Sequence, residues 1–518
     1  MLSFKGSVLN IIKNFNKKFL LLLFLVLVIG GFFRLYKLGN QSYIGDEYYG
    51  LNASYGYAQS GEWKDWDFNK NELTSRVYKR SQIYYWQVAQ VFKVLDPIEA
   101  NSRLISVFWG MLSIISVFII TFLLTRNYYI AILSSFLIAI SISSLIYDRK
   151  LRMYSMFVPV YFWFSYSLFR FIESAPKRGI TFVNKISIKS GLNWNFLPAV
   201  IVFGLISFCT HLLAVNIIPA FLVYLMVMAI FVFVKKKEIL NKYLILLILG
   251  VLFIFIGMET RRFQDALSFF SWRIDNWGYF KIVTLDYSNM LLAIVFFLIG
   301  SYYLIKNHFK AGVWIVVSYI VVLFLAIMIW RREPGNQYIV FTQPFKIIII
   351  SSGIFYVAKI IADKVFDSSR KHFWGLIALF LILIFNFSFF YSKDSFYGNV
   401  KSWNYSNYRE VSQYFLNHRD YKSVLIIRNI PSKDYYFNGF YVDLINYNEK
   451  EGYELTLNMV LDAQKEYKDV WLIFSRSFYI DGDALDYIEE KFEEVDSSYA
   501  NKQLEIWRWR NSDINNKK

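Results

Sequence analysis

The stretch LISVFWGMLSIISVFIITFLL, residues 104–124, decides the fold class of this chain. It contains no charged side chain and is as long as the ~20 residues that an α-helix needs to cross a bilayer. Two further runs of this kind are FLLLLFLVLVIGGFF, residues 19–33, and LIALFLILIFNFSFFY, residues 376–391. The sequence therefore predicts a polytopic α-helical membrane protein.

The composition supports the same class. Of the 518 residues, 56% are hydrophobic, 20% are aromatic and only 18% are charged, where soluble domains have about 25% charged residues. The single cysteine, Cys209, excludes an intrachain disulfide. The net charge is +17, but no long basic patch, Gly-rich phosphate loop or His/Cys cluster appears, so we expect no nucleic-acid partner.

About eleven spans are predicted from the apolar runs, and no cleavage site follows the first. They cover residues 19–33, 104–124, 128–147, 153–172, 196–211, 213–234, 241–258, 289–305, 313–330, 339–361 and 373–391. Lys and Arg gather at the N-terminus and in the alternate loops at 177–189, 235–237, 306–310 and 364–371. The positive-inside rule then makes the N-terminus cytoplasmic and the C-terminus external in a multi-pass cell-membrane protein.

Two domains are expected. Residues 1–391 would form the transmembrane domain, whose first outer loop, 34–103, is rich in Trp and Tyr and suits amphipathic helices in the headgroup layer. Residues 392–518 would form a small outer α/β domain, because helix-like and strand-like stretches alternate there.

Arginines in the predicted outer loops break the positive-inside pattern. They occur in YDRKLRMY around Arg149 and Arg152, in WRREPGNQY as Arg331 and Arg332, and in METRRFQD at residues 258–265. A guanidinium binds phosphate in a bidentate way, so a phosphate at headgroup depth would explain them. The alternative is plain interfacial arginines, with Asp148 paired to Arg152 one helical turn on.

Two adjacent acids, Asp46 and Glu47, begin the first outer loop in SYIGDEYYGL. Asp46 could be a helix N-cap, but neither a capping box with residue 49 nor a hydrophobic staple supports that role. The alternative is a general base that takes a proton from an acceptor hydroxyl. On a helix Glu47 lies about 100° away, so the two acids need not share a role.

Other polar residues carry weaker signals. His211 lies where the fifth and sixth spans meet, and it is either structural or faces Glu62, Glu72 or Asp148, with an adventitious metal as a further alternative. The Asp-x-Asp patterns at 65–67 and 481–483 are weak metal signals, and the second one opens a predicted helix.

The order of these motifs resembles the integral-membrane glycosyltransferases with the GT-C fold. The resemblance rests on four motifs: Asp46-Glu47 after the first span, DRKLRMY at 148–154, Thr210-His211, and YIVFTQP at 338–344. The chain is most similar to the protein O-mannosyltransferase and aminoarabinose transferase group, which is related to the oligosaccharyltransferase catalytic subunit. The resemblance covers about residues 1–391.

The resemblance implies a role for each matching residue. Asp46 would be the catalytic base and Glu47 its support. The donor phosphate would be bound by residues in two loops: Arg149, Arg152 and Tyr154, with Arg331 or Arg332. Gln337 stands where related proteins often have Arg before the tyrosine, which leaves the second phosphate ligand open. Asp148, His211 and Glu72 are possible supporting residues.

The resemblance also implies the reaction. A hexosyl or pentosyl group would pass, with inversion, from a polyprenyl-phosphate donor to a hydroxyl of a lipid, glycan or protein in the cell envelope. No cofactor would be required, and a divalent metal is allowed but not indicated. The alternatives are a lipid-linked polysaccharide polymerase or ligase, and a lipid or sugar transporter, for which we would expect charges within the spans and inverted repeats.

Overall fold

The fold is described from a computed structural model of the chain. The described residues are 17–174, 182–257, 259, 264, 276–366, 370–392, 395, 397, 407–420, 423–427, 433–437, 455–475, 480–495 and 504–511. The predicted arginine ligands Arg261 and Arg262 lie outside them.

Helices dominate the first three quarters of the chain. In chain order they are α1 (Lys17–Leu35), α2 (Gly45–Ser60), α3 (Gln82–Phe92), α4 (Glu99–Ser102), α5 (Leu104–Thr125), α6 (Tyr128–Ile140), α7 (Ile142–Asp148), α8 (Tyr154–Glu173), α9 (Phe182–Ser190), α10 (Leu197–Thr210), α11 (Ile217–Lys236), α12 (Lys242–Gly257), α13 (Gly278–Val283), α14 (Met290–Asn307), α15 (Phe309–Met328), α16 (Asn336–Ile339), α17 (Gln343–Val365) and α18 (Arg370–Ile384). A hairpin of β1 (Lys64–Asp67) and β2 (Glu72–Val77) lies between α2 and α3.

The last quarter mixes helices and strands. They are α19 (Tyr408–His418), β3 (Ser423–Ile427), α20 (Lys433–Tyr436), α21 (Leu457–Glu466), β4 (Asp469–Ser475), α22 (Gly482–Lys491), β5 (Glu493–Glu494) and β6 (Leu504–Arg510).

The prediction of a multi-pass membrane protein is confirmed. Each of the eleven predicted spans overlaps a helix. Among the described residues, six helices are long and apolar enough to cross a membrane, or up to eight if two bent pairs each count as one span. One bent pair is α6 with α7, which meet at 57°, and the other is α9 with α10, at 117°. The number eleven and the orientation of the termini stay predictions.

The first predicted outer loop is ordered. The aromatic stretches that suggested interfacial helices form α2 and α3, whereas the β1–β2 hairpin between them was not predicted. That these helices lie in the headgroup layer stays a prediction.

The chain divides into two compact units, which differ from the predicted boundary at residue 391. Unit 1 comprises residues 1–36, 80–84 and 105–387, and unit 2 comprises residues 37–79, 85–104 and 388–518. Whether residues 392–518 form a domain of their own stays a prediction.

In unit 1, two glycines let α14 and α17 pack backbone to backbone. A Cβ on Gly300 would come within 1.8 Å of the carbonyl oxygen of Ile349, and one on Gly353 within 2.0 Å of the carbonyl oxygen of Phe296. Close helix crossings in membranes commonly depend on small residues of this kind. These two glycines therefore fix how α17, which begins at the glutamine of YIVFTQP, lies against its neighbour.

Unit 2 contains a four-stranded sheet in the order β3-β4-β6-β5. Strands β3 and β4 are parallel, and β6 is antiparallel to both of its neighbours, β4 and β5. Successive side chains point to opposite faces of a strand. Val470 and Leu472 accordingly pack with residues of α21 and α22, while Trp471 and Ile473 pack with residues of α19.

The α14–α17 crossing gives a stability prediction. Gly300→Ala puts a methyl group into a main-chain oxygen, so we expect a clearly lower melting temperature of the purified protein. Gly375→Ala in α18 is the control, because no atom of the described residues lies within 4 Å of its added Cβ. Alanine also favours a helix by about 1 kcal/mol over glycine. Equal melting temperatures for the two variants would show that the crossing is looser than described.

Candidate functional site

The turn between α7 and α8 is anchored by a buried ion pair. Asp148 accepts hydrogen bonds from Arg34 Nε and Nη2 at 3.0 and 2.7 Å, and Arg34 is fully buried. The remaining donors of Arg34 reach the carbonyl groups of Gly30 and Ala139. The predicted pairing of Asp148 with Arg152 is therefore wrong, because its partner comes from the end of α1.

Arg149 closes the end of α1. Its Nη1 donates to the carbonyl oxygens of Phe33, Arg34 and Tyr36, each at 2.9 Å, and the residue is 4% exposed. The last carbonyl groups of a helix have no partner within it, and a cation there also suits the helix dipole. Arg149 thus acts as a cap, and its predicted contact with a phosphate stays a prediction that this geometry does not favour.

Arg152 and Tyr154 lie beside His211. The Arg152 guanidinium carbon is 5.4 Å from the centre of the Tyr154 ring, and the Tyr154 ring is 5.2 Å from the imidazole. His211 begins the 3₁₀ turn Leu212–Asn216, where its Nδ1 accepts from the backbone N–H of Leu213 at 3.0 Å. The other ring nitrogen is then the one that carries the proton of a neutral imidazole.

Arg332 lies on a turn that is held from α13. The Asn276 amide donates to the carbonyl oxygen of Trp330 at 2.7 Å, and the Tyr279 hydroxyl donates to that of Glu333 at 3.1 Å. Gly278 permits this approach, since a Cβ there would be 2.8 Å from the ring of Pro334.

A small pocket lies beside this turn. Its lining residues are Leu212, Leu213, Val215, Asn216, Trp330, Arg332 and Tyr338. Its walls are mainly apolar, with the guanidinium, the phenol and the Asn216 amide as polar groups. Asn216 is 1% exposed, and its Oδ1 has no hydrogen-bond partner among the residues that the structure describes.

Three arginines act on the same imidazole. Burial, followed by the charges of Arg152, Arg332 and Arg80, lowers the pKa of His211 from 6.5 to about 3. His211 is therefore neutral at pH 7, in a place where a further positive charge would be repelled. Arg332 and Arg80 are exposed and Arg152 is half-buried, so a ligand from solvent or lipid can reach these cations. We call Arg80, Arg152, Arg332 and His211 the cationic cluster.

The two adjacent acids lie in unit 2, on α2. The N-cap of α2 is Ile44, so the interpretation of Asp46 as the N-cap is wrong. A reciprocal cap contact is nevertheless present, because Glu47 at the third helical position accepts from the backbone N–H of Ile44 at 3.2 Å. Glu47 is 1% exposed and also forms a bidentate pair with Arg103, at 2.9 Å for both contacts. Asp46 is exposed in the first turn, as expected from the angle of about 100° between adjacent side chains on a helix.

The other predicted residues are placed as follows. Arg331 is exposed beside Arg332, and Glu72 is exposed at the start of β2 in unit 2. Asp67 accepts from the backbone N–H groups of Asn69 and Lys70, which is a turn contact. In the part of the chain that the structure describes, no three His, Cys, Asp or Glu side chains come together to hold a metal ion.

Three solved structures share this architecture. The chain superposes on ArnT from Cupriavidus metallidurans bound to undecaprenyl phosphate with a TM-score of 0.53, at 10% identity, over 94% of this chain and 97% of that one. The apo form of the same ArnT gives a TM-score of 0.54 at the same identity and coverage. The chain has the GT-C fold. The archaeal oligosaccharyltransferase AglB from Archaeoglobus fulgidus, in complex with an inhibitory peptide and a dolichol-phosphate, gives 0.52 at 9% identity, over 88% of this chain and 69% of that one.

The resemblance in fold is not accompanied by a recognisable resemblance in sequence. No family model and no curated protein matches the chain.

Several buried charges of this GT-C chain were missed from sequence. Arg34, Arg103 and Lys346 lie within or beside predicted spans, and each pairs with an acid. An ionisable side chain within or beside an apolar run needs a partner, so the positions of these three residues already predict buried ion pairs. Arg80 was missed as a member of the cationic cluster because it comes from the chain just before α3.

The pKa of His211 gives a pH prediction. Between its folded pKa of about 3 and the 6.5 of an unfolded histidine, only the unfolded chain takes up the proton. This contribution to stability is therefore complete above about pH 6.5 and is lost as the pH falls toward 3.

His211→Asn keeps an acceptor for the Leu213 N–H but cannot titrate. We expect its melting temperature to fall less than that of the wild type between pH 7.5 and pH 5, as measured by thermal unfolding in detergent. Parallel pH curves for the two proteins would contradict the assignment of a half-buried imidazole that stays neutral.

Proposed function

We propose that this protein is an inverting membrane glycosyltransferase that moves a hexosyl or pentosyl group from a polyprenyl-phosphate donor to a hydroxyl acceptor outside the cell membrane. The observation that carries the proposal is the cationic cluster, whose four residues come from four separate chain segments. Support comes from ArnT and AglB, which share the fold and whose structures contain undecaprenyl phosphate and dolichol-phosphate.

The chemistry of a departing phosphate fits this cluster. Like charges near one another repel, and the repulsion is stronger where water is scarce. An anion that binds among Arg80, Arg152 and Arg332 relieves this repulsion, and guanidinium groups offer paired N–H donors to phosphate oxygens. Because His211 stays neutral, its remaining N–H can donate a hydrogen bond without changing the charge balance.

In the proposed reaction, the acceptor oxygen forms a bond to C1 of the sugar while the bond from C1 to the phosphate oxygen breaks. The electron pair leaves with the polyprenyl phosphate, whose added charge the arginines stabilise. Such electrostatic stabilisation is commonly the largest contribution to catalysis. The acceptor proton passes to Asp46, the exposed carboxylate of the first turn of α2, and attack from the opposite face inverts the anomeric centre.

The arginine assignment predicts a loss of donor use. A hydrogen bond to a charged group contributes about 1.5–3 kcal/mol, so Arg152→Ala and Arg332→Ala should each raise the KM for the donor roughly 10- to 100-fold. Arg331→Ala changes a neighbouring exposed arginine and should have a smaller effect. The measurement is the initial rate against concentration of polyprenyl-phosphate sugar in proteoliposomes. If Arg331→Ala has the largest effect, the assignment within this pair must be reversed.

The base assignment predicts a loss of turnover. Asp46→Asn should lower kcat by about 100-fold or more, with the melting temperature and donor binding retained. Glu47→Gln, on the neighbouring acid, should lower the melting temperature instead, because it breaks a buried ion pair whose loss costs about 3–5 kcal/mol. Turnover near that of the wild type in Asp46→Asn would remove Asp46 as the base.

The substrate class can be tested in cells. Mass spectrometry of cell-envelope glycans, with the protein present and absent, should show the loss of one sugar substituent. A profile unchanged in every lipid, glycan and protein fraction would overturn the proposed function.

A further inference from the structure

A second buried charge cluster lies in unit 1, around Asp286. The residue is 2% exposed and follows α13. Its Oδ1 accepts from the Ser141 hydroxyl and from the backbone N–H of Ser143, both at 3.1 Å. Its Oδ2 accepts from the Gln343 amide and, at 3.3 Å, from the ammonium group of Lys346.

Lys346 is equally enclosed. It is 3% exposed, in the first turn of α17, and its Nζ also donates to the carbonyl oxygen of Val283 at 2.6 Å. Removing two opposite charges from water is costly, and a buried pair is often no more stable than an apolar pair of similar volume. A gain in folding stability therefore does not explain why this pair is present. Ionisable groups within membrane spans commonly mark a functional role.

The charge cluster around Asp286 joins two chain segments that each contribute one arginine beside His211. Ser141 and Ser143 lie at the start of α7, which leads into the turn with Arg152. Gln343 lies at the end of the segment that begins at Arg332. A further bond joins the same two segments directly, from the Asn336 amide to the carbonyl oxygen of Ser143 at 3.2 Å.

These segments carry charges that repel one another. Arg152 and Arg332 both act on His211, so their guanidinium groups lie in one neighbourhood. The repulsion between two positive charges favours a wider spacing of the two segments. The bond network around Asp286, which joins Ser141 and Ser143 of one segment to Gln343 of the other, opposes that widening.

We propose that Asp286 and Lys346 are positioning residues, which hold the Arg152 and Arg332 segments at the spacing that a phosphate group requires. The pair need not touch the ligand. This inference rests on the proposed function for the identity of the phosphate ligand, whereas the joining of the two segments can be tested without it.

The first test is Asp286→Asn in the full-length protein, with undecaprenyl phosphate as the probe. We expect its Kd to rise by about tenfold. Hydrogen exchange should also become faster in peptides that cover residues 141–152 and 331–343, since both segments lose their shared partner.

Glu173→Gln is the matched control. Glu173 is also a buried acid of unit 1, paired with Lys310 at 2.6 Å and hydrogen-bonded by Tyr224 and Tyr243. It ends α8, about 30 Å along the helix from Tyr154. Glu173→Gln should lower the melting temperature but leave the Kd within about twofold of the wild type.

The double variant Asp286→Asn/Lys346→Met removes both charges and guards against simple misfolding. Its melting temperature should recover toward that of the wild type, while its Kd stays raised, because the links between segments are not restored. A Kd that recovers together with the melting temperature would overturn the positioning role, since the pair would then be only structural.

The two proposals fail in different ways. If the wild type does not bind undecaprenyl phosphate, the proposed ligand is wrong, and the exchange comparison still decides the inference. Exchange that is unchanged in both segments of Asp286→Asn overturns the joining of the segments, whatever the ligand.

Discussion

A guanidinium group inside an apolar helix bundle must be neutralised where it lies, and the pairing of Arg34 with Asp148 meets that constraint. Breaking such a pair costs about 3–5 kcal/mol, because the remaining charge is left buried. The pair fixes the end of α1 against the end of α7, and Arg149 reinforces the junction by capping α1. Gly110 leaves the space for it, since a Cβ there would lie 2.5 Å from Asp148 Cγ. The next residues form the turn that presents Arg152.

Charge is thus used in two ways in unit 1. Arg34 and Lys346 each have a buried acid as partner, so they contribute no net charge to their surroundings. In the cationic cluster, the charges of Arg152 and Arg332 act together on a histidine that carries no charge itself. An anion that binds among several positive charges lowers their mutual repulsion.

The sequence predicted what local periodicity and composition determine. Apolar runs located the helices, and alternation after residue 405 located β3, β4 and β6. Pairing across the chain could not be predicted in this way, since Asp148 has a nearby cation in sequence, Arg152, yet pairs with Arg34. Lys346 did give a signal, as a lysine inside a predicted span. Its partner Asp286 could not be named, because many loop acids were equally available.

The two adjacent acids of α2, Asp46 and Glu47, both have carboxylate side chains, but the helix geometry places them in different surroundings. Glu47 is drawn inward by Arg103 and by the N–H of Ile44, and these contacts fix the rotation of the helix about its own axis. With that rotation fixed, the preceding residue, Asp46, must point about 100° away, where it meets solvent. The buried acid therefore determines where the exposed acid points. A residue with no access to a substrate can still decide which carboxylate is available to one.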